Sequence, residues 1–592
     1  MSAARSPGDT SPDGRAHLVV VGGGLAGMAA ALVAADGGAR VTMLEARPRL
    51  GGATTSFRRG ELWIDTGQHV FMRCCTAYRG LLARLGVTHL TTLQPRLDVP
   101  VLLGDSLTRT RLRRTSVRLP APLHLAPALL GYKALPLVER LRAGLAAFQL
   151  GRLDERSPQV DGRSFGGWLA EHGQGPAATS ALWELLTVAT LNAPADEASL
   201  GLAAKVVRTG LLEGADAGDL GWAEVPLSRL HGDAALAALT EVGADVRTGV
   251  KVRSITADGA GWQIAVTAGG TSRGESVPGA DASGALYADA VVLATPAPAA
   301  AGLLPAGASV DADRLRALGD SPIINVHMIY PRQVIEGPFL AVVDSPIQWI
   351  FDRTISSGLA AAGPSGAQYL ALSQSAAEPW ITMPASDVAE LFVTEMARLF
   401  PAARAARPLE VFVTRERTAT FRQVPGSLAL RPGASTGLPH FALAGTFTDT
   451  GWPATMESAV RSGVAAARES LAGMGVVVGD LTEPSTRRAA VVSGRVPAGR
   501  ISAEPSGRAP AGPTPRVPAE AGQMTSAVPF EPRRADDQPS VRPEASNSSN
   551  SPDPRGANAV DAGSTVTAST TAAVAPVPTG QQGHSSTGGF PV

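Results

Sequence analysis

Cysteine is nearly missing from this sequence. Its two copies, Cys74 and Cys75, are adjacent, poorly placed to bridge each other and too few to build a metal site, so no metal is expected and a reduced, cytoplasmic compartment fits. Net charge is missing too. The 52 basic residues balance 52 acidic ones, so no long-range field draws the chain to nucleic acid. The opening "MSAARSPGDTSPDGRAH" has no apolar core of a secretory signal. Elsewhere Arg, Gly or Pro breaks each apolar run before it reaches the roughly 20 residues that span a bilayer. Aromatics fade at one end: every Trp and Tyr lies before about residue 475, and from Leu481 onward Phe530 and Phe590 are the only aromatics amid Pro, Ala, Ser, Thr and Gly. Such a segment cannot bury enough apolar surface to offset its ordering entropy. Residues 476–592, like 1–16, are expected to be disordered.

What is present begins with "HLVVV", a short apolar strand at 17–21, followed by Gly22, Gly24 and Gly27 in the pattern G-x-G-x-x-G. "LAGMAAALVAADGG" then reads as a helix, and "RVTMLE" as a second strand ending at Glu45. Gly22 allows the tight turn, Gly24 lets backbone approach a pyrophosphate, and Gly27 lets helix and strand pack closely. The phosphates would sit at the helix N-terminus, where unpaired N–H groups favour anions. Glu45, eighteen residues after Gly27, is placed to accept hydrogen bonds from a ribose diol. FAD and NAD both use such a unit.

The continuation decides between them. "EARPRLGGATTSF", with Arg47 and the pair Gly51-Gly52, and then "GELWIDTGQHV", with Gly67, resemble the extended fingerprint of the FAD-binding amine oxidase and phytoene desaturase superfamily. The resemblance implies FAD as cofactor and a loop that crosses its pyrophosphate. Ala53 stands where relatives often carry Arg, so that phosphate contact is either missing or supplied by Arg47 or Arg49. "VRTGVKVRSITADGAGWQIAV" resembles the hairpin that passes the adenine, with Val252 as the implied contact. "FALAGTFTDTGWPATMESAVRSGVAAA" resembles the closing segment, in which Gly445 begins a loop along the ribityl chain and a helix starting near Thr455 and Met456 aims its N-terminus at the flavin. Backbone N–H groups there would stabilise the negative charge of reduced flavin.

The expected fold is α/β: a discontinuous Rossmann-like FAD-binding domain (17–100, 225–300 and 405–475) with an inserted α+β substrate domain (101–224 and 301–404). "SPIINVHMIY" and "SPIQWIFDR" read as strands of that insertion. In the first, Asn325 and His327 share one face; in the second, Trp349 and Phe351 do. Both faces could border a cavity, although a lone strand histidine is more often hydrogen-bonded structure. "RTRLRRTSVR", followed by an apolar Pro-interrupted stretch, could dock on an anionic membrane surface. A polar strand leading into a buried helix is the favoured reading there.

"DTGQHVFMRCCTAYRGLLARLG", "WELLTVATLNAPADEASLGLAAKV", "AEVPLSRLHGD" and "TDTGWPATMESAVRSG", with the two strand segments, further resemble the squalene-associated FAD-dependent desaturases, the hydroxysqualene dehydroxylases of bacterial hopanoid synthesis. That resemblance implies a long apolar isoprenoid substrate and reductive loss of its allylic hydroxyl. A carotenoid-type desaturase is the second reading. Amine oxidation ranks lower, since only Trp452, and no Cys, stands in the final loop, and a non-catalytic flavin scaffold built on the Pro-rich tail ranks lower as well. Hydroxyl loss needs a proton donor, for which His69 is the first choice; Asp65 is expected to be structural. The electron source, a reductase or NAD(P)H, is left open, as is a peripheral position on the inner membrane face.

Overall fold

The computed structural model describes residues 14–116, 119–268 and 284–482. Most of both segments expected to be disordered falls outside these residues. At its start the expected tail is instead packed. Gly473 and Gly475 adopt positive φ and turn the chain back, so that Leu481 joins the core and Val476 packs against it.

Strands β1 (His17–Val21) and β2 (Arg40–Glu45) lie within a five-stranded sheet. Its order is Asp245–Thr248, β2, β1, Ala290–Leu293, Phe441–Leu443, and every pair in it is parallel. Covered on both faces, such strands can be continuously apolar, which is why "LVVV" and "AVVL" do not alternate. On one face lies helix α1 (Leu25–Asp36), with ten of its residues buried. The closing helix, Met456–Ser470, crosses α1 with backbone nearly touching backbone: a Cβ added at Gly463 would lie 2.0 Å from the Ala26 carbonyl oxygen. On the other face sits an antiparallel sheet of Val250–Asp258, Gly261–Ala268 and Ala285–Ala288, whose Trp262 packs on Phe441 with ring centroids 4.9 Å apart. The hairpin read from sequence as starting at Val246 begins instead at Val250. Gly249, at φ 70°, turns the chain there, and the residues before it join the parallel sheet.

A second sheet has seven strands, ordered Glu410–Thr420, Ser321–Tyr330, Gln368–Gln374, Trp349–Asp352, Phe339–Val343, Asp98–Leu103, Thr108–Arg113. Val326 and Met328 turn toward Phe392 and Met396 of the helix Ala385–Leu399. Asn325 and His327 turn the other way. Register puts Asn325, Ser373 and Trp349 in one cross-strand row and His327, Ala371 and Phe351 in the next. Polar and aromatic residues thus share one face. A small sheet of Val70–Met72, Leu220–Ala223 and Thr91–Leu93 pairs Val70 with Trp222. Helices α2 (Thr76–Arg84), α3 (Ala126–Leu130) and α4 (Leu137–Leu150) complete the parts used below. Contrary to the favoured sequence reading, α4 is not a buried helix: it buries Ala143, Ala146 and Leu150 and leaves its other large side chains exposed.

Candidate functional site

Two glycine loops interlock after β1 and β2. Gly22 has φ 111°, and a Cβ there would come within 2.5 Å of the Ala294 carbonyl oxygen. At Gly27 a Cβ would stand 1.9 Å from the Gly22 carbonyl oxygen, so neither position admits a side chain. Gly51 (φ 123°) donates its N–H to the Gly23 carbonyl at 2.9 Å. Gly52 (φ 57°) approaches Gly24 so closely that a Cβ would lie 3.0 Å from the Gly24 Cα. Glu45 accepts from the Gly23 N–H at 2.7 Å and the Arg47 N–H at 2.8 Å, one on each carboxylate oxygen. Each oxygen retains acceptor capacity for a hydroxyl. The exposed Arg47 reaches back over this loop toward the Gly52 carbonyl, at 3.4 Å, and its own carbonyl accepts from Gly249. Arg49 and Ala53 are exposed nearby in sequence.

Val252 is buried against Val19, Val21 and Leu44. The ladder slips immediately after it, between Val252 and Ser254, and a bulge of this kind re-aims backbone groups that would otherwise pair.

These residues fit FAD. No side chain caps α1 at Gly24, so its first-turn N–H groups remain for an anion. Thr295, beside the Gly22 turn, has a buried hydroxyl with no partner, and so does the Gln68 amide nitrogen on the D-T-G-Q-H loop. At the other end, Gly445 (φ 144°) bends so tightly that a Cβ would meet the Phe447 ring at 2.6 Å. Its N–H is held by the Ser462 hydroxyl at 2.9 Å. Thr455 caps the closing helix by accepting from Ser458 N–H; the Met456 side chain packs on the core, leaving its backbone for any flavin contact. Trp452 has both Lys205 and Arg461 within 5.4 Å of its ring centroid, so cations already occupy its π-surface.

The D-T-G-Q-H loop is held from both sides. Asp65 is buried and accepts from the Ser56 hydroxyl (2.6 Å), the Leu227 N–H (3.0 Å) and Arg353 (2.6 Å). It is a structural group whose oxygens are all engaged. His69 is half-buried, with its Nδ1 3.2 Å from the Gly67 carbonyl. A carbonyl can only accept, so Nδ1 carries hydrogen and Nε2 faces away. Desolvation lowers the His69 pKa, an effect partly opposed by that hydrogen bond and by Asp65. Asn325 donates to the Thr66 carbonyl at 3.4 Å, and its own carbonyl oxygen is buried without a partner. His327 is fully hydrogen-bonded, to the Tyr369 hydroxyl at 2.7 Å and the Thr414 hydroxyl at 3.0 Å, and stacks on Phe412. Burial pushes its pKa down to about 3. It therefore stays neutral and structural.

Four residues beside this loop escaped sequence reasoning. His231, in "SRLHGD", is buried: its Nδ1–H donates to the Thr54 carbonyl at 3.3 Å and its Nε2 accepts from the Tyr78 hydroxyl at 2.8 Å. Burial, with His69 adding to the effect, lowers its pKa to about 3. Glu457, fully buried, accepts the N–H groups of Ala77 and Tyr78 at the start of α2 and pairs with Arg461. Arg353 anchors the loop through Asp65. Trp222, cross-strand from Val70, meets Phe339 edge-on at 5.5 Å, and Phe339 meets Trp349 at 6.1 Å. An aromatic wall thus starts one residue from His69. Only the Trp349–Phe351 pairing had a signal in the sequence, its alternation.

The fold and the paired glycine loops define a flavoprotein oxidoreductase. The flavin containing amine oxidoreductase family matches residues 25–471, and the chain belongs to that family as an FAD-dependent enzyme. Among its relatives, the chain is 28% identical over 457 residues to a hydroxysqualene dehydroxylase from Sinorhizobium fredii, covering 76% of this chain and 97% of that one. A hydroxysqualene dehydroxylase from Rhodopseudomonas palustris is 29% identical over 452 residues, covering 76% and 96%. A 15-cis-phytoene desaturase from Glycine max is 25% identical over 459 residues, covering 76% and 78%. Among solved structures, an oxidoreductase from Methanosarcina mazei has a TM-score of 0.57 at 16% identity, covering 76% of this chain and 99% of that one. A putrescine oxidase variant has 0.56 at 19%, covering 77% and 99%. At such identities the structural likeness is one of fold alone.

Proposed function

We propose that this enzyme converts hydroxysqualene to squalene by reductive dehydroxylation. The observation that carries the reading is the similarity to two hydroxysqualene dehydroxylases across nearly their whole lengths; the neighbours with amine-oxidase titles share architecture at 20% identity or less. Gly22, Gly24, Gly27, Arg47, Gly51 and Gly52 would hold the pyrophosphate, Glu45 the ribose and Val252 the adenine. Gly67, Gly445, Thr455 and Met456 would surround the flavin. The nucleotide domain would comprise 17–100, 225–300 and 405–475, and the substrate domain 101–224 and 301–404, with the exception that Glu410–Thr420 pairs with Ser321–Tyr330 and so goes with the substrate sheet. When bound and reduced, FAD would supply the hydride that replaces the departing hydroxyl. The chain's part is to exclude water, stabilise positive charge on the allylic carbon and deliver one proton to the leaving oxygen. The faces of Trp222, Phe339 and Trp349 offer π-density to such a cation, and their apolar surroundings keep water from capturing it.

His69 is the proposed proton donor. With its pKa lowered by desolvation, the ring rests mostly neutral at pH 7, and the protonated fraction grows as pH falls. Turnover limited by this proton should therefore rise on acidification below pH 7 and flatten below the lowered pKa. The electron source is proposed to be NAD(P)H or a reductase partner, and the setting the cytoplasmic side of a membrane. Anaerobic incubation of the dithionite-reduced holoenzyme with hydroxysqualene should give squalene, identified by mass. His69→Gln should keep its flavin, lose at least about 100-fold in kcat and lose the acid-side rise. Unchanged hydroxysqualene alongside dehydrogenated phytoene, in a parallel incubation with an electron acceptor, would overturn the reading in favour of a desaturase. Near-normal turnover in His69→Gln would remove only that residue's role.

A further inference from the structure

Helix α4 is inside out. Along "LVERLRAGLAAFQL" the alanines face the core, where Ala143 and Ala146 pack with Trp168 and Trp183. Leu137, Leu141, Leu145 and Phe148 keep 57%, 60%, 59% and 46% of their surface in solvent. Spaced i, i+4, i+8, i+11, they form one stripe roughly 16 Å long. Leu123 and Leu130, on α3 and the turn before it, extend the patch. Monomeric proteins seldom leave contiguous apolar area of this kind uncovered.

We infer that this face lies on an anionic lipid bilayer, with α4 parallel to the surface. Charge complementarity selects the occupant: between residues 133 and 152 the basic side chains Lys133, Arg140, Arg142 and Arg152 face one acid, Glu139. Arg152 stacks over the Phe148 ring at 4.1 Å. An apolar stripe bordered by cations is the pattern of a helix lodged at the headgroup boundary. Among the described residues no helix is long and apolar enough to cross a membrane, so attachment here is to one leaflet. The basic strand Thr108–Arg113, the other candidate from sequence, contributes less, because Arg111 and Arg113 both pair with Asp98, at 3.0 and 3.2 Å. The patch also adjoins the site. Tyr132 and Leu135, in the link from α3 to α4, belong to the same apolar cluster as Phe339, against which Trp222, Trp349 and Val70 pack. The link behind the proposed bilayer face therefore packs on the same apolar cluster as the residue beside His69.

The choice of lipid rests in part on the isoprenoid reading above, so the test is run without substrate. Full-length holoenzyme should pellet with vesicles of phosphatidylcholine and phosphatidylglycerol (3:1), and pelleting should weaken in high salt and with phosphatidylcholine alone. Leu141→Glu combined with Leu145→Glu should reduce the bound fraction at least about tenfold while keeping normal flavin content. Lys133→Glu with Arg142→Glu, which leaves the stripe intact, should remove most of the preference for anionic lipid. Wild-type protein that stays in the supernatant, or a leucine variant that pellets as wild type does, overturns the inference. So does a wild-type dimer that these glutamates convert to a monomer, since the stripe would then face a second copy. Vesicle binding here, with no squalene formed in the separate turnover assay, would sink the substrate assignment and leave this surface standing.

Discussion

At the dinucleotide end the chain makes its tightest contacts with residues that have almost no side chain: Gly27 on Gly22, Gly52 on Gly24, Gly463 on Ala26. Around His69 it uses its bulkiest residues, with Trp222, Phe339 and Trp349 meeting ring to ring. The two regions obey different tolerances. Where backbone rests on backbone, one added carbon has nowhere to go, because main chain cannot change rotamer. Where rings rest on rings, neighbours can adjust, and volume matters more than identity. The region of the glycine turns is therefore fixed by what must be absent, and the aromatic region by how much is present.

The largest effect should come from Gly463→Val, which places carbon 2.0 Å from the Ala26 carbonyl oxygen. Loss of at least about 3 kcal/mol is expected, and with it most soluble, flavin-loaded protein; thermal melting and flavin absorbance per chain would show it. A variant that melts like wild type would break the contrast between the two regions.

Acid should act on both regions at once. His17 is held neutral by burial and by Arg40, with its pKa lowered to about 4, and His231 and His327 to about 3, against an ordinary 6.5. In the unfolded chain each would bind a proton more readily. The stability they confer is thus complete above pH 6.5 and is lost as pH falls toward the folded values, on the order of 1–2 kcal/mol per histidine by about pH 5. Urea titrations at pH 7.5 and 5 should reveal this, and His327→Gln should flatten the slope. Smallest should be Phe339→Leu, costing about 1 kcal/mol with flavin content unchanged. A cost as large as that of Gly463→Val would show that the aromatic wall is as unforgiving as the glycine turn.

That contrast also explains what could be read in advance. Gly22, Gly24, Gly27 and Glu45 lie within a short stretch, with Gly27 against Gly22 and Glu45 on the Gly23 N–H, so a motif exposes them. Strand alternation likewise put Asn325 with His327 and Trp349 with Phe351. His231 gave no such signal, since Thr54 and Tyr78 are far away in sequence and only the tertiary fold brings them to its ring. Glu457 reads as an ordinary first-turn acid of the closing helix, yet its carboxylate belongs to α2. For α4, periodicity announces two faces without saying which is inside. Alanines permit close approach, and the leucines were left outward.

The route by which the parallel sheet is assembled sets a schedule on the ribosome. Phe441–Leu443 and the closing helix are the last parts of the nucleotide fold to be made, yet they complete an edge of the sheet and cover α1. At roughly 5–20 residues per second, α1 waits tens of seconds or more for that partner, with an Ala- and Leu-rich surface uncovered. A messenger cut short before Phe441 would yield a chain carrying the whole glycine motif but with an unfinished edge on the parallel sheet and α1 without the helix that covers it.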